Sequence, residues 1–219
     1  EVTATYTPTV TRVTPTSTNA ESTGLQGQPQ SGKPTFSPGD QAVPIDMTKP
    51  MTFENGTDTL VVANQGTYTI NSDGSITFTP DKQFTGKATP VTVKRVDANG
   101  TEITATYTPT VTKVTPTGTN AESTGIQGQP QNGTPTFTPG DSAVPIDMDS
   151  PMTFEDGQPK KTVQGVGEYT INSDVTITFN PDKQYVGTPA SVTVKRVDKN
   201  GTEVTATYTP TVTRVTPTS

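Results

Sequence analysis

The residues best placed to do chemistry in this chain form a short acidic cluster that occurs twice. Asp97-Ala98-Asn99-Gly100-Thr101-Glu102 returns as Asp198-Lys199-Asn200-Gly201-Thr202-Glu203. Carboxylates and amides spaced this way open a calcium loop when further oxygen ligands, a Glu at the twelfth position and flanking helices follow. None of these follows here. Asn-Gly between two β-rich runs is the strongest short-range hairpin signal. The favoured reading is a tight turn, and no metal-ligating residue is expected.

Two other chemistries come up in the same way. Lys94/Lys195, Asn71/Asn172 and Glu54/Glu155 recur in both copies. A Lys–Asn isopeptide bond needs a desolvated lysine of lowered pKa beside an asparagine and a protonated acid. The asparagines common to both copies lie in turn or linker signals, not on inward strand faces, so no crosslink is expected. For hydrolysis, the chain has neither Cys nor His. That removes thiol nucleophiles, disulfides, structural zinc and any His-based triad. No serine has a suitably placed lysine base. Catalytic, cofactor-binding and metal sites are all read as none, and the protein is read as not an enzyme. Asn-x-Thr sequons at Asn55, Asn99, Asn132 and Asn200 matter only in a eukaryotic host.

The frame that must hold these residues is a repeat. Glu21-Ser22-Thr23-Gly24 returns as Glu122-Ser123-Thr124-Gly125, and Met51-Thr52-Phe53-Glu54 as Met152-Thr153-Phe154-Glu155, at a constant offset of 101. Copies at a fixed period share one fold. Residues 1–17 match 102–118 and 203–219. The expected division is therefore 1–17 as the closing strand of a preceding repeat, 18–118 as repeat 1 and 119–219 as repeat 2. Residues 91–107 set this phase, because they form one hairpin around Asn99-Gly100. Residues 1–10 are then expected to be extended and poorly packed. The chain reads as an internal piece, with any secretion signal or anchor outside it.

Charged residues make up 16% and the hydrophobic class 27%, both below globular averages. Disorder does not fit, because net charge is only −6 and seven Phe and six Tyr recur at regular places. A thin core in small β domains does fit. The acidic surplus, with pI near 4.6 and no basic run, argues against nucleic acid and against an anionic membrane surface. No apolar stretch approaches the roughly 20 residues that span a bilayer.

Thr67-Tyr68-Thr69-Ile70 and Ile76-Thr77-Phe78-Thr79 alternate around Asn71-Ser72-Asp73-Gly74, which predicts a second hairpin. Thr35-Phe36, Met51-Thr52-Phe53 and Leu60-Val61-Val62 predict shorter strands, and no window has a helical period. About seven short strands per repeat predict a sandwich of two antiparallel sheets, immunoglobulin-like in outline. A small barrel is the alternative. Leu25/Ile126, Phe84/Tyr185 and Ile103/Val204 change conservatively between copies and are expected to be buried or half-buried. Leu60-Val61 becomes Lys161-Thr162, which predicts an exposed edge. Pro109 and Pro210 call for an edge or a strand end. Residues 104–112 would suit strand addition by a partner, although an ordinary closing strand is the favoured reading. Residues 114–125 read as a polar, Thr-Pro linker.

Four motifs in order carry a family likeness. They are Ala-Thr-Tyr-Thr-Pro-Thr-Val-Thr (105–112 and 206–213), Gly-x-Tyr-Thr-Ile (66–70 and 167–171), Thr-Phe-x-Pro-Asp-Lys-x-Phe/Tyr-x-Gly (77–86 and 178–187) and Val-Thr-Val (91–93 and 192–194). Together they resemble the CshA-type fibril repeats of streptococcal fibrillar adhesins. The resemblance implies a wall-anchored extracellular protein whose repeats form an elongated rod. Its non-repetitive region would bind ligands such as fibronectin. The partners implied are neighbouring repeats in the chain and, for the whole protein, a host matrix protein or other bacteria. No cofactor is implied. A stalk that projects a binding region is the leading expectation. Direct binding of host glycoproteins by the repeats, or association between fibrils, is the alternative.

Overall fold

Alternating Thr and apolar residues leave one face of each strand wet and one face dry, and this pattern builds the whole chain. A computed structural model describes residues 1–218 and contains no helix among them. The chain divides into two compact units, one ending at Lys113 and the other starting at Val114.

The first unit carries β1 (Thr16–Thr18), β2 (Ala20–Leu25), β3 (Gln30–Gly32), β4 (Thr35–Ser37), β5 (Thr52–Phe53) and β6 (Thr59–Val62). It continues with β7 (Gly66–Ile70), β8 (Ile76–Pro80), β9 (Gly86–Lys87), β10 (Val91–Val96) and β11 (Glu102–Thr112). One sheet has the order β2-β11-β10-β5, with β9 also on β11. The other has the order β3-β8-β7-β6, and β1 pairs with β4 as a small ribbon. The second unit repeats this with β12 (Thr117–Thr119), β13 (Ala121–Ile126), β14 (Gln131–Gly133), β15 (Thr136–Thr138) and β16 (Thr153–Phe154). Its remaining strands are β17 (Lys160–Val163), β18 (Gly167–Ile171), β19 (Ile177–Pro181), β20 (Val192–Val197) and β21 (Glu203–Thr213). Its sheets run β13-β21-β20-β16 and β14-β19-β18-β17. The short β9 pairing is reduced there to a bridge between Gly187 and Val212.

The core of each unit is aromatic at its centre. In the first, Met51, Phe53, Tyr68, Ile76, Phe78, Val91, Val93, Ala105, Tyr107 and Val111 are buried together. Tyr68 stacks on Phe78 at 4.5 Å and meets Tyr107 edge-on at 6.0 Å. Tyr169, Phe179 and Tyr208 repeat the arrangement. Such contacts give a thin core more than its area alone provides.

Both expected hairpins form, β7–β8 and β10–β11. Ile103 and Val204 are buried, and Phe84 and Tyr185 half-buried. Leu25 is half-buried, but Ile126, expected to be buried or half-buried, is exposed. β6 and β17 are the expected sheet edges, with Val61 exposed. Residues 1–12 are exposed and form no strand.

Three expectations need correction. Residues 114–125 are not a plain linker, since β12 and most of β13 lie in them. Of these, β12 pairs with β15. The sandwich is also not wholly antiparallel: β2 runs parallel to β11, and β13 to β21. Finally, Pro109 lies inside an 11-residue strand with neighbours on both sides. The amide N of Ala88 donates to the Pro109 carbonyl at 2.9 Å. In a strand the N and C=O of one residue face the same side. The missing N–H of Pro109 therefore points toward Ala88, next to β9, and away from β2.

Candidate functional site

The feature that distinguishes each unit is the seam between its first long strand and its last. In the first unit, Ala20 lies opposite Tyr107 and Leu25 opposite Thr112. In the second, Ala121 lies opposite Tyr208 and Ile126 opposite Thr213. Thr108, Thr110 and Thr112 turn their backbone groups to β2, since the odd positions face the other way. Both ends of the seam are closed by hydrogen bonds. The Thr106 N–H donates to Asn19 Oδ1 at 2.8 Å, and the Gln26 N–H donates to the Thr112 carbonyl at 2.8 Å. Thr207 to Asn120 and Gln127 to Thr213 repeat these bonds at 2.9 and 2.8 Å.

A side-chain relay crosses the seam. Ser22 Oγ donates to Gln30 Oε1 at 2.5 Å, so its contact of 2.6 Å with Tyr107 is one in which the phenol donates. Gln30 Nε2 then donates to the Thr110 carbonyl at 3.1 Å. Ser22 belongs to β2, Tyr107 and Thr110 to β11, and Gln30 to β3 of the opposite sheet. The relay therefore ties both terminal strands to each other and to the second sheet. Tyr208, Ser123, Gln131 and Thr211 form the same relay in the second unit. The strand facing the tyrosine leaves room for its ring only because it carries glycine. A Cβ on Gly32 would sit 2.4 Å from the Tyr107 ring, and one on Gly133 2.1 Å from the Tyr208 ring.

Electrostatics keep this centre neutral. Burial pushes the Tyr107 and Tyr208 phenols above their ordinary range. Burial pushes Tyr68 and Tyr169 higher still, with the neighbouring tyrosine adding to it. Neither the Tyr68 nor the Tyr169 hydroxyl has a hydrogen-bond partner in the core.

The residues singled out by sequence for chemistry are not brought together. Asp97 is buried and its Oδ1 accepts the Asn99 and Thr101 N–H groups at 2.9 and 2.8 Å, which fixes the hairpin turn. Glu102 pairs instead with Lys94 at 3.7 Å on the surface. No group of three or more acidic residues among those described could hold a metal ion. Asn71 bonds Ser75 and Thr77 within its own hairpin, and Lys195 pairs with Glu203. Asn55 is engaged with Thr57 and Thr59, and Asn200 is buried. Residues 104–112 offer no free edge for strand addition, since β11 is flanked by β10 and β9 on one side and β2 on the other.

The relay residues were not identified from sequence. The available signal was identity without hydrophobicity. Ser22, Gln30 and Tyr107 are unchanged in the second copy, while adjacent Ser31 becomes Asn132 and Leu25 becomes Ile126.

Each unit is thus an all-β, immunoglobulin-like sandwich closed by a parallel terminal seam. The chain belongs to the family described as the surface adhesin CshA repetitive domain, which matches residues 12–111 and 113–212. Repeat domain 13 of the fibrillar adhesin CshA from Streptococcus gordonii, solved by NMR, is 63% identical over 32% of this chain and 90% of that one, with a TM-score of 0.19. A titin tandem is 14% identical over 92% of this chain and 66% of its own, at TM-score 0.34. Drosophila N-cadherin is also 14% identical, over 92% of this chain and 68% of its own, at TM-score 0.33. Among curated proteins, none matches this chain in sequence.

Proposed function

We propose that these repeats are the stalk of a surface adhesin anchored to a bacterial cell wall, and that they hold a ligand-binding region away from it. The role is structural, with no catalysis. The observation that carries this reading is the parallel seam. The chain enters each unit through a short strand at the N-terminal end of β2 or β13 and leaves it at the C-terminal end of β11 or β21, the opposite end of the seam. Membership of an adhesin repeat family supports the same reading.

The 11-residue β11 spans about 36 Å at about 3.3 Å per residue, so one repeat advances roughly 30–45 Å. Small-angle scattering tests this. Repeats in line give a radius of gyration well above the ~17 Å of a compact chain of this length. A value at the compact figure would exclude a stalk.

A second reading, binding by the repeats themselves, has one observation in its favour. An apolar groove of about 250 Å³ beside Phe36, Ile45, Met47 and Met51 recurs at about 230 Å³ beside Phe137, Ile146, Met148 and Met152. Saturable binding of a host glycoprotein, abolished by Met47→Ser with Met148→Ser, would favour it.

A further inference from the structure

We infer that the β2–β11 and β13–β21 seams are mechanical clamps, and that shear along them sets the force at which each repeat unfolds. The inference rests on the stalk reading only for the source of the load. The geometry itself is internal to each unit.

Tension on a repeat acts through the chain that enters by β1 and runs directly into β2, and through the chain leaving at β11. It pulls β2 toward its own N-terminal end and β11 toward its C-terminal end. The two strands are adjacent and parallel over Ala20–Leu25 and Tyr107–Thr112, so these pulls are opposed along the strand axis. Ladder bonds lie across that axis, and they must stretch together instead of opening one after another. An antiparallel terminal pair would place both pulls at one end and open like a zipper.

Three features fit a clamp. Pro109 and Pro210 sit at a position whose backbone faces away from the seam, so the seam loses no donor to them. The seam is closed at both ends by Asn19 and Gln26, and by Asn120 and Gln127. The Tyr107–Ser22–Gln30–Thr110 relay adds a cross-tie that must also break before β2 can slide. Its counterpart in the second unit joins the same four positions.

Single-molecule pulling of the whole chain tests the inference. The chain has no native cysteine, so Ala98→Cys in the exposed β10–β11 turn supplies a unique second handle. Held at its two termini, the chain loads the seams in shear. Held at the N-terminus and Ala98→Cys, it loads the first seam from one end only and peels it. The expected result is a several-fold higher unfolding force in the first geometry. Ser22→Ala together with Ser123→Ala should lower the end-to-end force and leave the peeling force unchanged. Asp73→Ala with Asp174→Ala, in turns outside the seam, should lower thermal stability with little effect on the end-to-end force. Equal forces in the two pulling directions would overturn the clamp, as would an end-to-end force insensitive to the serine variants. Either outcome leaves the stalk intact, whereas compact scattering removes the stalk and leaves the clamp standing.

Discussion

Tyr107 and Tyr68 touch edge-on in the same core, yet their hydroxyls have opposite consequences. The Tyr107 hydroxyl donates to Ser22 across the seam. Removing it deletes a buried hydrogen bond and weakens a chain of linked ones. Tyr107→Phe should therefore cost about 1–2 kcal/mol in urea unfolding. The Tyr68 hydroxyl is buried without a partner, so its desolvation is uncompensated. Tyr68→Phe should be neutral or stabilise the protein by up to about 1 kcal/mol. If Tyr68→Phe proved the more damaging of the two, the relay would not be what holds the seam. No sequence pattern separates these tyrosines, because both sit on inward strand positions. Only the strand facing each one decides whether a serine hydroxyl is within reach.

The β7–β8 turn and its copy show how far local chemistry governs an element. Asn71-Ser72-Asp73-Gly74 becomes Asn172-Ser173-Asp174-Val175, and the fourth residue keeps a left-handed backbone in both, with φ of 82° at Gly74 and 64° at Val175. For a β-branched residue that conformation costs about 1–2 kcal/mol. The turn persists because side chains hold it. Asp174 Oδ1 accepts the Thr176 N–H at 3.0 Å and its hydroxyl at 2.6 Å, and Asn172 donates to Thr176 and Thr178. Asp73 does the same for Ser75, but there glycine needs no persuasion. Asp174→Ala should therefore lower the melting midpoint of the chain more than Asp73→Ala, and adding Val175→Gly should remove the difference. Equal shifts would show that the turn is not strained.

Hairpins of this kind were legible because turn residues and alternation are local signals. β2 and β13 were not legible for the opposite reason. Ala-Glu-Ser-Thr-Gly has little apolar content, and the strand is held by backbone pairing to a partner some 85 residues away. A window scanned for hydrophobic period cannot register that pairing. The same gap hid Ser22 and Gln30, and it made the position of Pro109 look like an edge.

At the scale of the molecule, the neutral aromatic centre ties stability to pH. Folding raises the pKa values of Tyr68, Tyr107, Tyr169 and Tyr208. A group raised in this way contributes stability fully below its unfolded pKa, and that stability is lost as pH climbs above it. Melting temperature should therefore fall once pH exceeds about 10, the ordinary tyrosine value, with phenolate absorbance rising as the fold is lost. Phenolate appearing with no loss of structure would contradict the burial of these rings. The four acidic turn residues Asp46, Asp73, Asp147 and Asp174 act at the other end of the scale. Hydrogen bonds, from Lys199 in the case of Asp147 and from turn hydroxyls in the others, hold them below the usual carboxylate range. Their contribution is present above the unfolded carboxylate pKa and fades as acid protonates them.

The chain carries its own control for the seam. Residues 1–11 and 203–213 have the same sequence, Glu-Val-Thr-Ala-Thr-Tyr-Thr-Pro-Thr-Val-Thr. The first copy is exposed and outside any strand, while the second is β21, paired with β13 and β20. Residue-resolved hydrogen exchange compares them in one experiment. Amides of β21 that face β13, at Thr209, Thr211 and Thr213, should exchange far more slowly than those of Thr7, Thr9 and Thr11, and β13 should be protected along with them. Fast exchange throughout β13, or equal rates in the two identical segments, would mean that no parallel seam closes the repeat.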